Sequence, residues 1–379
     1  MNKGILYYSS IHFRIICILL IIFVSTNFTV NPYPLKDRIQ YGLPAILSSL
    51  KVTARSDSAA DSINNPQNHT VDELNSANLE RTVRDLSSFH TRNIESKLID
   101  DVAFWLVEKL QSVCSRNVYV HNFTHVLDKN DNADSKLQWQ KQQQQYENIS
   151  SYHLKNIVCE KPGSTNNTII ISAHYDSRME DINNGTARAP GADDNASGVS
   201  ALLELARVIS NVDLNHSIIF VLFSGEEQGK WGSTNYADYI DKTNVDLDLL
   251  INLDMIGFSS QGTNDFLIEY DNGNIVQDND KFSRAIASYI KEEIATQYNN
   301  LNTTLGILQN TDYLPFEELG YTVIGFHDNG VITNPNHHKS TDTPDTLDYE
   351  YLVSITKLTM TTILSLDELA TTDNFDRLS

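Results

Sequence analysis

From position 168 onward the chain alternates two patterns. Short, continuously apolar runs are separated by longer stretches in which apolar residues recur every three or four positions. The runs TIIISAH (168–174), SIIFVLFS (217–224), LLINLDMIG (249–257), FLIEYD (266–271) and YTVIGFH (321–327) predict strands. ASGVSALLELARVIS (196–210), the segment through GSTNYADYI (232–240), 280–298 and a final stretch with Leu352, Ile355, Thr359, Ile363 and Leu366 on one face predict helices. Upstream, Leu98, Val102, Trp105, Leu106 and Leu110 recur at helical spacing, and VYVHNFTHV (118–126) and KNIVCEK (155–161) read as strands. Apolar strands alternating with amphipathic helices imply an α/β fold: a mostly parallel, mixed central sheet with helices on both faces, in a single domain.

The pattern fails at both ends and once in the middle. Lys3 and Arg14 precede the apolar run Ile15–Val24, whose ten residues fall short of the ~20 needed to span a bilayer. Residues 1–26 therefore read as a signal peptide, with an uncleaved N-terminal membrane anchor as the alternative. Residues 27–75 are polar, with scattered Pro, Asn and Ser, and are expected to be a flexible linker or propeptide. The folded domain is expected over 76–370, interrupted by a polar, Gln-rich insertion at 128–151 and followed by a tail at 371–379.

Export changes how the remaining features are read. Nine Asn-x-Ser/Thr sites, Asn68, Asn122, Asn148, Asn195, Asn215 and Asn302 among them, are compatible with a secreted glycoprotein, with Asn195 expected to be bare. Beyond Cys17 in the leader the only cysteines are Cys114 and Cys159; a disulfide is expected, two buried free thiols being the alternative. The formal charge of −21 argues against nucleic acid or an anionic membrane surface as partner.

In a sheet of this kind sites form beyond the carboxyl ends of the strands. There the chain places AHYDS with His174 and Asp176, the adjacent Glu226 and Glu227 of FSGEEQG, Asp254 of NLDM, and HHKSTDTPDTL with His337 and His338. A further acidic cluster, PGADDNASG (190–198), opens a helix. So many carboxylates in one cleft would repel one another unless cations neutralise them.

These motifs, in this order and at these spacings, resemble the co-catalytic zinc aminopeptidases, a group that includes secreted bacterial leucyl aminopeptidases and their glutamate carboxypeptidase and glutaminyl cyclase relatives. The resemblance covers about residues 80–368. It implies two zinc ions per chain, with His174 and Asp254 on one, Glu227 and His338 on the other, and Asp194 bridging both. It implies that Glu226 binds no metal and acts as general base on the attacking water. Asp176 is expected to accept the remaining imidazole N–H of His174 and fix its tautomer. In part of the family a tyrosine that steadies the oxyanion stands just before the last histidine; here that residue is His337. The expected activity is removal of N-terminal residues from peptide substrates. The alternatives are a carboxypeptidase-like hydrolase, for which Arg178 and Arg188 would have to turn into the cleft to hold a carboxylate rather than lie in surface loops, and a glutaminyl cyclase. The complete ligand set argues against a non-enzymatic ectodomain.

Overall fold

A computed structural model describes residues 66–114, 117–126 and 151–369, apart from 183, 274, 278, 308–309 and 330–332. The expected leader (1–26), most of the expected linker, positions 128–150 of the insertion and the tail 371–379 lie outside these residues.

The strands predicted from the apolar runs are all present. They are β1 (Val118–Val126), β2 (Ser151–Lys161), β3 (Asn167–His174), β4 (Ser217–Phe223), β5 (Asp246–Leu253), β6 (Asp265–Tyr270) and β8 (Val323–His327), joined by β7 (Asn302–Ile307). They form one eight-stranded sheet in the order β1-β2-β4-β3-β5-β8-β6-β7. The pairs β4–β3, β3–β5, β5–β8 and β6–β7 are parallel. The pairs β1–β2, β2–β4 and β6–β8 are antiparallel. The sheet is thus mixed with a parallel centre, as the sequence implies.

The helices are α1 (Pro66–Asp72), α2 (Ser76–Ser88), α3 (Leu98–Val113), α4 (Gly198–Ile209), α5 (Trp231–Thr243), α6 (Asp280–Tyr289), α7 (Leu314–Glu318) and α8 (Tyr349–Leu369). On one side of the sheet, Tyr236 and Ile240 of α5 and Phe316 of α7 pack with Ile170, Val221, Phe223 and Leu250 in one buried cluster. On the other, α4 touches β3, β4 and β5 and is flanked by α2, α3 and α8. The predicted face of α8 (Leu352, Ile355, Thr359, Ile363 and Leu366) is buried throughout. Among the described residues no helix is long and apolar enough to cross a membrane.

Two elements depart from the sequence reading. α1 lies inside the stretch expected to be linker, with Val71 and the following Leu74 buried. β7, NTTLGI, lies at an edge of the sheet, where its mixed polar sequence gives no apolar run. Cys114, at the end of α3, and Cys159, in β2, are joined by a disulfide across Cα atoms 6.5 Å apart.

Chain order fixes where a crevice opens. From β3 the chain crosses through α4 to β4 on one side; from β4 it crosses through α5 to β5 on the other. The carboxyl ends of β3, β4 and β5 therefore flank a topological switch point, the usual position of a site in such sheets.

Candidate metal centre

β3 ends in His174, and the two-residue period of extended chain puts Asp176 on the same side and Tyr175 on the other. Tyr175 is buried and donates its hydroxyl to the Lys155 carbonyl at 2.7 Å. β4 ends in a turn that opens at Gly225, where φ is +80°, a left-handed conformation that glycine adopts without strain. β5 ends at Leu253, and Asp254 follows directly. Ahead of α4, Gly191 has φ +53°, and a Cβ there would lie 2.3 Å from the Asp194 carbonyl oxygen. Asp193 and Asp194 follow, at the positive end of α4, which favours carboxylates.

Asp194 sits between two clusters. His174 Nε2 is 3.3 Å from Asp194 Oδ1 and 3.3 Å from Asp254 Oδ1. His338 Nε2 is 3.0 Å from the other oxygen, Asp194 Oδ2, and 3.1 Å from Glu227 Oε2. His337 Nε2 also reaches Asp194 Oδ2, at 3.4 Å, but makes no ion pair with Glu227. His174, Asp194 and Glu227 are buried and His338 is nearly so. His338 holds its place with a left-handed backbone, φ +54°, uncommon for a side-chain-bearing residue.

The donor set fits zinc. Donors ~2.0–2.2 Å from a tetrahedral ion lie about 3.3–3.6 Å from each other, close to the separations here. Two triads, His174–Asp194–Asp254 and Asp194–His337–His338, each bring their ligand atoms within 4.8 Å. Glu227 Oε1 is buried and accepts no hydrogen bond, although its partner oxygen has two cationic neighbours. The electrostatics ask for positive charge. Burial depresses the His338 imidazole, yet Glu227 and Asp194 outweigh it and hold it at about 10. Burial likewise opposes ionisation of Asp194, but its bonds to His174, His337 and His338 keep it well below the usual carboxylate range.

Glu226 differs from its neighbour. Burial pushes its carboxyl well above the carboxylate range; His174 opposes this, and the charges of Asp312, Glu227 and Asp254 add to it. A carboxyl raised by burial is the kind of group that exchanges protons in hydrolytic sites.

Asp176 faces both the first histidine and the next turn. His174 Nδ1 lies 3.2 Å from the Asp176 backbone carbonyl and pairs with its carboxylate Oδ1 at 3.7 Å. The carboxylate also accepts three backbone N–H groups, from Gly225 (2.9 Å), Glu226 (3.2 Å) and Glu227 (3.1 Å). Arg188 is exposed, and Arg178 is a half-buried loop residue whose Nε donates to Glu227 Oε2 at 2.8 Å and whose Nη1 donates to the Met179 carbonyl at 3.1 Å.

A supporting layer gave no signal in the sequence. Asp342 accepts the backbone N–H of Asp193 (3.0 Å) and of Asp194 (3.1 Å). Asp193 turns away from the clusters, taking the Gly257 N–H at 2.9 Å and the Asn334 amide at 2.8 Å. Thr311 donates to Asp254 Oδ2 at 2.5 Å. Arg92, wholly buried, donates to the carbonyls of Tyr175, Pro190 and Gly191, tying the β3 turn to the Asp194 loop. Asn195 is buried too, its amide on the Leu253 carbonyl at 2.9 Å, so its sequon is closed to a glycan in the folded chain.

A bridging carboxylate between two histidine–carboxylate clusters, set on a switch-point crevice with a spare glutamate beside it, defines a metallohydrolase. The chain belongs to peptidase family M28, which it matches over residues 156–363, and is a zinc-dependent peptidase. It is 28% identical over 342 residues to a probable zinc metalloprotease of Pyrenophora tritici-repentis, covering 78% of this chain and 75% of that one. It is 27% identical over 300 residues, 76% of this chain and 72% of the other, to a probable leucine aminopeptidase of Trichophyton verrucosum. The Legionella pneumophila LapA aminopeptidase shares the fold, with a TM-score of 0.62 at 19% identity over 84% of this chain and 78% of that one. So does the glutaminyl cyclase of Porphyromonas gingivalis, with a TM-score of 0.60 at 21% identity over 78% and 98%.

Proposed function

We propose that this chain is an exported aminopeptidase that works with two zinc ions. The observation that carries the reading is the division of Asp194, one carboxylate oxygen toward His174 and the other toward His338. His174, Asp194 and Asp254 would hold one ion, and Asp194, Glu227 and His338 the other. Bound there, zinc supplies Lewis-acid polarisation of the scissile carbonyl and lowers the pKa of water. Glu226 takes the proton of the attacking water and returns it to the leaving amine. Asp176 keeps Glu226 and Glu227 on one rigid turn, so that base and ligand face their separate tasks.

An acidic cleft suits a substrate's free α-amine. Arg178 has Nε on Glu227 and Nη1 on a backbone carbonyl, and Arg188 is exposed, which weakens the case for a clasp on a substrate's C-terminal carboxylate. The kinship with a probable leucine aminopeptidase points the same way. Export is supported by the leader-like N-terminus and by the Cys114–Cys159 bond, a pairing typical of oxidising compartments.

The test compares leucine p-nitroanilide with its N-acetyl derivative. The free amine should be favoured by ~10⁴, because acetylation leaves the polar groups built for the amine unpaired. Equal rates, activity only on substrates with a free C-terminal acid, or cyclisation of N-terminal glutamine without peptide hydrolysis would reject the aminopeptidase reading.

A further inference from the structure

The sheet ends in β1 on one side and β7 on the other, and among the described residues no strand pairs with the outer side of either. An edge strand offers a row of unpaired N–H and C=O groups to any passing strand, and proteins usually blunt it with a lysine, a proline or a bulge. Neither edge here has such a guard. β1 is VYVHNFTHV and β7 is NTTLGI, without Lys, Arg, Asp, Glu or Pro in either. Both pair in unbroken register, β1 from Val118 opposite Cys159 to Val126 opposite Ser151, and β7 from Asn302 opposite Asp265 to Ile307 opposite Tyr270. No bulge therefore turns either edge away from a neighbour.

What both edges carry is an Asn-x-Thr sequon: Asn122-Phe123-Thr124 within β1 and Asn302-Thr303-Thr304 at the start of β7. Phe123 is buried with Ile94 and Leu154, so strand alternation turns Asn122 and Thr124 outward, and both are exposed. Asn302 and Thr304 are exposed as well. Asn122 Nδ2 lies 3.4 Å from the Val120 carbonyl, and Asn302 Nδ2 donates to Asp265 Oδ1 at 2.5 Å. An N-glycosidic bond uses one of the two amide hydrogens and leaves the other for that contact. Other sequons differ. Asn195 is buried, and the Asn215 amide is held by the Asp367 carboxylate at 3.1 Å and the Asp367 carbonyl at 3.4 Å. Asn166 and Asn184 are exposed but lie in loops, off the sheet edges.

We propose that Asn122 and Asn302 carry N-linked glycans that cap the two edges of the sheet and keep it from pairing with a second copy of the chain. The inference rests on the export reading, because the glycan donor, a lipid-linked oligosaccharide diphosphate, belongs to the secretory route. The amide nitrogen bonds to C1 of the first sugar, the bond from C1 to the phosphate oxygen breaks, the lipid diphosphate leaves, and the amide gives up one proton. A bulky, hydrated group on each outer strand then does what a charged residue does on other edges.

The test is to make the full-length chain in a eukaryotic secretory host, map glycopeptides of the secreted protein by mass spectrometry, and follow its association by size exclusion with light scattering. Asn122 and Asn302 should be occupied and Asn195 and Asn215 bare. The double variant Asn122→Gln, Asn302→Gln should hydrolyse leucine p-nitroanilide at the wild-type rate and hold the same zinc, but form dimers and larger species several-fold more than the wild type. The double variant Asn122→Lys, Asn302→Lys, equally without glycan at these positions but charged on each edge, should stay monomeric. A secreted protein bare at Asn122 and Asn302 would overturn the proposal and leave the export reading standing, whereas a chain retained inside the cell without any glycan would overturn both. Occupied sites with a Gln variant that stays monomeric, or a Lys variant that associates as much as the Gln variant, would show that the glycans do not guard the edges. Should the Gln variant fail to be secreted, enzymatic removal of the glycans from the folded wild type decides, with association expected and a persistent monomer contradicting the proposal.

Discussion

The carboxylate of Asp176 accepts the backbone N–H of Glu226 at 3.2 Å, and so the residue two places after the first histidine fixes the turn that carries the proposed general base. The same carboxylate takes the flanking N–H groups of Gly225 and Glu227. A fully buried anion facing three amides holds that turn without moving anything into the cleft. Hydrogen bonds to an ionised acceptor are about twice as strong as neutral ones.

Asp176→Asn removes the charge and turns an NH2 group against one of those amides. The protein should lose ~2–4 kcal/mol of stability and ~10–100-fold in kcat, while keeping its zinc. Thermal unfolding, kinetics and elemental analysis check the three parts. Unchanged kcat would mean that the turn holds itself.

The adjacent pairs should separate by metal content. Glu226→Gln keeps size and polarity but cannot accept a proton, so turnover should fall ~10²–10⁴-fold with zinc retained. Glu227→Gln and His338→Ala should each lose zinc, because both groups belong to the cluster around Asp194 Oδ2. His337→Ala should retain it, since that ring packs on His338 and, among the described residues, pairs with Asp194 at 3.4 Å but not with Glu227. Loss of zinc in His337→Ala but not in His338→Ala would move the ligand by one residue.

Just before the amino end of β4, at the far end of that strand from Glu226, buried His216 lies 3.0 Å from Asp367 and 3.3 Å from Asp248. Burial opposes its charge, but the two carboxylates outweigh burial and raise it to about 9. Its folded value lies above the unfolded value of ~6.5, so the folded state holds the proton more tightly. That stabilisation is complete below pH ~6.5 and fades as pH rises through about 9, amounting to roughly 3 kcal/mol. Urea unfolding at pH 7 and pH 10 should show the loss in the wild type and a flatter profile in His216→Gln. Parallel profiles would contradict it.

The apolar runs made the sheet legible, because strands buried on both faces carry continuous hydrophobic sequence. The metal-ligand candidates were legible for a related reason: His174, Glu227 and Asp254 stand where apolar runs stop, so polar residues there are conspicuous. What stayed hidden lacks such contrast. β7 is a half-exposed edge strand with no apolar run to betray it. Arg92 is one arginine in a polar stretch, and its burial depends on carbonyls 83 to 99 positions away in sequence. Asp342 sits in the polar run after His338 with no apolar run to mark it, although it accepts the Asp194 amide across 148 positions. Asp176 carries more than its spacing from His174 suggests: its carboxylate, paired with the ring, also takes three backbone N–H groups of the turn after β4. Residue spacing says nothing of that second set of contacts.

The central claim is that Asp194 joins two zinc ions. It is tested most directly by stripping the metal, returning zinc stepwise, and following both bound zinc and hydrolysis of leucine p-nitroanilide. The account predicts that binding continues to two zincs per chain, and that Asp194→Asn weakens both sites together. Binding that ends at one zinc per chain with full activity, or an Asp194→Asn protein that keeps two tightly held ions, would contradict it.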